Sequence, residues 1–184
     1  MLSRLVKEAL LCYDACDMDI IYLKNGSFKL SGKTVSVAVN PQKPIDADIA
    51  VHGNVSLVED MKKDIVGPGE FEVQEVSVFS CPGAYLIIID EMNVLYITEE
   101  ATATLEQIAT LGQADILLVP VTEKSDEYVK KSEATLVVPY SDNEEALTQF
   151  VTKLALTAET MSKLTVKPAN LLGDDQKVVI LTAK

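Results

Sequence analysis

One histidine stands in the 184-residue chain. His52 closes the apolar run Asp48-Ile49-Ala50-Val51, a position from which an imidazole could ligate a metal or shuttle a proton, the two tasks histidine performs near neutral pH. A catalytic zinc needs about three protein ligands and an open position for water. A paired-imidazole acid/base centre needs a second histidine. Counting alone therefore excludes a His-rich zinc centre. The other groups with chemical capacity are similarly isolated. Glu99-Glu100 offers adjacent carboxylates for acid/base work, yet such a pair reads first as a solvated loop. Cys81 precedes Pro82-Gly83 in a predicted loop and has no base other than His52, which argues against a nucleophile. Gly67-Pro68-Gly69 lacks both a Walker lysine and a following helix, so it reads as a structural turn. Asp142-Asn143-Glu144-Glu145 reads as the start of a helix, where acidic side chains oppose the macrodipole.

Sixteen basic against 28 acidic residues give a formal charge of −12. That sign repels a phosphate backbone and an anionic membrane, so neither nucleic acid nor membrane is expected as a partner. Charged residues interrupt the apolar pattern of Met1 to Glu8, and nowhere do about 18 apolar residues run together, so the sequence predicts neither a signal peptide nor a membrane span. Cytoplasm is the expected location. Three cysteines, with Cys12 and Cys16 four apart, suggest reduced thiols rather than a disulfide framework. A 48% hydrophobic content is enough to fill one domain spanning residues 1–184.

The elements that must position these residues follow from periodicity. Leu2, Leu5, Val6, Ala9, Leu10 and Tyr13 fall at helical spacing and predict an amphipathic opening helix within residues 1–17. A β-rich half follows over residues 18–97, with strands at 20–23, 27–30, 34–39, 49–51, 71–73, 76–80, 84–89 and 93–97, a helical turn at 57–62, and a hairpin at Ser31-Gly32-Lys33. This half is expected to be mostly antiparallel. Residues 98–184 alternate helix and strand: helix 104–111 ended by Gly112, strand 116–120, helix 125–131, strand 134–138, helix 144–158, and strands 163–166 and 177–181. Two β-rich halves with helices predict an α/β fold, a four-layer αββα sandwich of two mixed β-sheets.

The order of motifs carries a resemblance. Ile21-Tyr22-Leu23-Lys24-Asn25-Gly26-Ser27-Phe28 is similar to an opening strand and Leu-Gly-His-Ser-Ser-Phe turn. Val37-Ala38-Val39-Asn40-Pro41 is similar to a strand ending in Asp-Pro, and Ala47-Asp48-Ile49-Ala50-Val51-His52 to an Ala-Asp-x-x-x-x-His run. Gly67-Pro68-Gly69-Glu70-Phe71-Glu72-Val73 matches a Gly-Pro-Gly-Glu-Tyr-Glu-Val segment. Ala114-Asp115-Ile116-Leu117-Leu118-Val119-Pro120-Val121 matches a Val-Asp-Val-Leu-Leu-x-Pro-Val strand. From about Ile20 onward the chain thus resembles the metallo-β-lactamase-fold superfamily, in its branch of small zinc-dependent hydrolases related to ascorbate-phosphate lactonases.

That resemblance implies a metal site, and residue by residue this sequence lacks it. Against the superfamily's His-x-His-x-Asp-His stands His52-Gly53-Asn54-Val55-Ser56-Leu57, which keeps only the first ligand and puts Asn54, Ser56 and Leu57 in the others' places. Asn25 replaces the histidine of the early turn and Asn40 the aspartate of the Asp-Pro strand end. Tyr96-Ile97-Thr98-Glu99-Glu100 stands for a His-Leu-Gly-Asp segment, offering a carboxylate one residue out of register and no glycine. Pro139-Tyr140-Ser141 stands for a Pro-Met-His-Tyr strand end. A neutral amide ligates zinc weakly and leucine not at all. The expectation is therefore a metal-free, cofactor-free, noncatalytic protein with a vestigial cleft of Asn25, Asn40, His52, Asn54, Ser56, Glu99 and Tyr140. Its role would be that of a scaffold, interaction or self-association module, with the N-terminal helix facing a second copy or a protein partner. Two alternatives are a small-molecule site in the neutral cleft and a divergent hydrolase of ester, lactone or phosphodiester substrates.

Overall fold

The computed structural model describes residues 17–53, 58, 61–171 and 175–184. The opening helix expected within residues 1–17 and the helical turn expected at 57–62 fall mainly outside this range, as do Asn54, Ser56 and Leu57.

Two sheets face each other. The first has six strands: β1 (Met18–Tyr22), β2 (Phe28–Ser31), β3 (Ser36–Val39), β4 (Ile49–His52) and β5 (Asp64–Val66), with β13 (Leu164–Val166) beside β1. The second has eight: β6 (Gly69–Val73), β7 (Val76–Cys81), β8 (Ala84–Ile89), β9 (Met92–Ile97), β10 (Ile116–Pro120), β11 (Leu136–Tyr140), β12 (Ala158–Met161) and β14 (Lys177–Leu181), in the spatial order β12-β14-β11-β10-β9-β8-β7-β6. Both sheets are mixed. β1, β2 and β3 run antiparallel, whereas β3, β4 and β5 run parallel. β6 to β9 form an antiparallel meander, and β9, β10, β11, β14 and β12 run parallel.

Strand alternation explains how the sheets stack. Met18, Ile20 and Tyr22 of β1 face the second sheet while Asp19 and Ile21 face away, and β2 repeats the pattern with Phe28 and Leu30 inward. These inward residues meet Val94, Tyr96, Leu118, Val138 and Tyr140 in one core. The opposite face of the eight-stranded sheet is equally apolar, with Leu86, Leu95, Leu117, Val119 and Val137, and is covered by α1 (Leu105–Ala109), α2 (Ser125–Ser132) and α3 (Glu144–Leu154) through Ile108, Tyr128, Val129 and Phe150. β10 and β11, covered on both faces, accordingly have no exposed residue.

Local chemistry sets the helix boundaries. Thr104 and Gln107 form a capping box on α1, and the Asn143 side chain accepts from the amides of Glu145 and Ala146 at the start of α3. The expected helix 144–158 ends earlier, at Leu154. Ala155 adopts φ 54°, a left-handed conformation that turns the chain out of the helix and into β12. β5 and β12 escape a pattern search because only one of their seven residues, Ile65, is fully buried.

Candidate functional site

The turn joining β1 to β2 and the ends of β3, β9 and β11 converge at one edge of the inter-sheet space. They enclose a cavity of about 240 Å³ bounded by Asn25, Gly26, Asn40, Tyr96, Glu99 and Tyr140, together with Gln42, Thr98, Glu100 and Asp142. Four of the seven expected cleft residues thus line one cavity.

Backbone geometry accounts for several of these residue types. Lys24, Asn25 and Gly26 have φ of 74°, 50° and 66°, and Asn40 has φ 49°. Among residues with a Cβ, asparagine tolerates this left-handed region best, so both asparagines suit their turns irrespective of any ligand. The Asn40 amide donates to the Asn25 carbonyl at 3.5 Å, and the Asn40 backbone N–H donates to Val51 O at 2.7 Å.

Tyr140 reaches the cavity because of its strand. Pro139 has no N–H to give a neighbour, and β14 pairs with β11 only at Leu136 and Val137, so the proline falls beyond the last of those pairings. The Tyr140 ring then turns into the inter-sheet space, 2% exposed, and its hydroxyl donates to Ile97 O at 2.7 Å. Tyr96, 1% exposed, donates its hydroxyl to Gly26 O at 2.9 Å. The two rings stack with centroids 6.0 Å apart, and Phe28 and Tyr22 pack against them. Burial pushes the Tyr22 phenol up to about 12 and raises those of Tyr96 and Tyr140 further; the negative charge of Glu99 raises all three. These phenols are neutral hydrogen-bonding groups, not bases.

His52 is not on the cavity wall. On β4, Ile49 and Val51 face the inter-sheet core, so His52 shares the opposite face with Ala50. Its Nε2 lies 2.6 Å from Oδ1 of Asp64 and, a carboxylate being an acceptor, takes the donor role in that bond. The His52 side chain is 1% exposed and that of Asp64 34%. Sequence reasoning missed Asp64 because its strand is only three residues long. It also passed over Asp142 as helix-start chemistry; the Asp142 carboxylate accepts from the Tyr22 hydroxyl and from the Asn25 backbone N–H, each at 3.3 Å.

No family model matches the sequence, and no curated protein does. Solved structures match well. A candidate Zn-dependent hydrolase of the metallo-β-lactamase superfamily from Thermotoga maritima superposes with a TM-score of 0.73 at 19% identity, covering 91% of this chain and 100% of that one. The chain has the metallo-β-lactamase fold. Igni18, a metallo hydrolase from the archaeon Ignicoccus hospitalis, gives a TM-score of 0.54 at 10% identity, covering 82% of this chain and 99% of that one. A candidate metal-dependent hydrolase from Parabacteroides distasonis gives 0.55 at 14%, covering 92% and 94%.

Zinc is the group that metallo-β-lactamase-fold hydrolases imply, and the described residues do not fit it. None of them form a cluster of three or more His, Cys, Asp or Glu side chains placed to hold a metal. The imidazole is engaged by Asp64 on the far face of its strand, and the carboxylates of Glu99, Glu100 and Asp142 share the cavity lining with the buried phenols of Tyr96 and Tyr140 without converging into a ligand cluster. Among the described residues, no helix is long and apolar enough to cross a membrane.

Proposed function

We propose that this chain is a noncatalytic protein built on a hydrolase fold, a cytoplasmic scaffold or interaction module whose ancestral cleft has been filled by aromatic side chains. The observation that supports the proposal is the pair Tyr96 and Tyr140, both buried, stacked and hydrogen-bonded to backbone carbonyls, in the two segments that the sequence resemblance sets against ligand-bearing ones. A packed aromatic plug strengthens the core and removes the open coordination position on which zinc catalysis depends. Self-association or partner binding through residues 1–16, with their amphipathic pattern, completes the proposal.

Elemental analysis of purified, untagged protein, run beside esterase, lactonase and phosphodiesterase assays, tests the noncatalytic half. Substoichiometric zinc and background turnover are expected. Stoichiometric zinc with turnover abolished by His52→Ala would establish the divergent hydrolase instead. Light scattering on the full chain and on residues 17–184 tests the association half: the full chain is expected to form the larger species, and identical monomers would remove it.

A further inference from the structure

The core between the sheets opens a second time, away from the tyrosines. Tyr140 ends β11, whereas Thr135 and Leu136 at its start line a groove of about 640 Å³ between β13 and the β12–β14 edge of the eight-stranded sheet. Leu136, Leu164 and Val166 of the inter-sheet core form its floor, and the half-buried Leu156, Met161 and Leu171 its sides. Exposed Thr157, Glu159 and Lys177 mark its mouth. Packed interiors leave few voids larger than a water molecule, so a space of this size continuous with the core is a place where apolar packing is unfinished.

We infer, resting on the self-association reading above, that this groove receives the apolar face of residues 2–13 from a second copy of the chain. Leu2, Leu5, Val6, Ala9, Leu10 and Tyr13 fall at helical spacing, a stripe about 18 Å long that needs an apolar surface to cover it. The described chain begins beside the groove: Asp17 pairs with Lys167 at 3.5 Å, and Met18 lies opposite Val166, part of the groove floor. A stripe without a core and a core without a cover are therefore neighbours. Only Asp14, Ala15 and Cys16 separate Tyr13 from Asp17, a reach of about 10 Å. The way round the end of β13 is taken by Lys167 and the 3-10 turn Pro168–Leu171. A hinge that short disfavours folding back onto the same copy and favours exchange, in which each copy lends its segment and fills its partner's groove about a two-fold axis.

Two measurements on the full chain decide between exchange and its alternatives. Light scattering over a dilution series gives the dimer dissociation constant, which Leu171→Lys in the groove is expected to raise about tenfold or more. An unchanged constant in that variant would overturn the inference. Because a charge at a half-buried site also strains the fold, the second measurement leaves the groove unaltered. Protein carrying Cys16→Ser and Cys81→Ser takes a nitroxide on Cys12, is mixed in urea with isotope-enriched protein that carries no nitroxide, and is refolded with it. Paramagnetic broadening of the Leu156, Met161 and Leu171 amides in the enriched copy is expected. Broadening found only when one copy carries both the nitroxide and the enrichment would show closure within a copy and overturn the inference. A dimer with no broadening at the groove would overturn it too while leaving the self-association reading intact, and a full chain that stays monomeric at every concentration would remove both.

Discussion

Tyr140 closes a hydrogen bond to the backbone carbonyl of Ile97, 43 residues away and on the other side of β10, at 2.7 Å and fully buried. The bond joins the ends of β11 and β9 where no backbone ladder connects them. Tyr140→Phe leaves the Ile97 carbonyl unsatisfied and is expected to cost about 1–3 kcal/mol in urea unfolding. Tyr140→Ala, which also empties the plug, is expected to cost about 3–5 kcal/mol. Equal costs for the two variants would show that the ring is not packed as described.

His52→Ala should behave as a core mutation. It removes a buried imidazole and its bond to Asp64, with an expected loss of about 1–3 kcal/mol, and changes neither metal content nor hydrolytic background. Loss of bound metal in this variant would reassign His52 as a ligand.

Alkaline pH offers a separate check. The Tyr22, Tyr96 and Tyr140 phenols are raised above their ordinary value near 10, mainly by burial. Above that value the unfolded chain releases phenolic protons that the folded chain retains, so the folded state binds more protons and stability falls as pH rises. The contribution is complete below about pH 10 and is lost from there upward, through about 12 for Tyr22. Tyrosinate absorbance of folded protein should lag that of unfolded protein across this window, and coincident curves would refute the buried placement.

Ser27 gives a prediction of opposite sign. Its hydroxyl is buried without a hydrogen-bond partner among the described residues. Ser27→Ala removes that unpaired group and is expected to stabilise the chain by up to about 1 kcal/mol. A clear loss in thermal or urea unfolding would mean that the hydroxyl has a partner.

Much of the fold was legible because its strands are continuous apolar runs such as Ile116–Pro120 or alternate cleanly, as in Met18–Tyr22. The strand β4 ending in His52 was read correctly for the same reason. Its pairing was not read: the expected mostly antiparallel half holds for β1 to β3 and β6 to β9, whereas β3, β4 and β5 run parallel, because strand direction is set by the connections and not by the residues within each strand. The cleft was partly legible. Motif order located Asn25, Asn40, Glu99 and Tyr140, but motif order does not specify the face on which a strand residue sits, and His52 turns away from them. The charge of the cavity was only partly legible: Glu99 was placed in the cleft, whereas Asp142 was counted as a helix residue, though it meets Tyr22 and Asn25 across more than a hundred positions.

Gly26 holds φ 66°, and a Cβ there would stand 3.0 Å from the Tyr140 ring and 3.2 Å from the Tyr96 hydroxyl. The turn beside Asn25 and the phenols opposite it are therefore mutually committed. A larger residue at 26 is tolerated only after the tyrosines shrink, and smaller residues at 96 and 140 leave a void that the glycine cannot fill. Residues 26, 96 and 140 therefore vary as a set: a single change at any one of them is expected to cost more stability than the same change made together with its compensating partner.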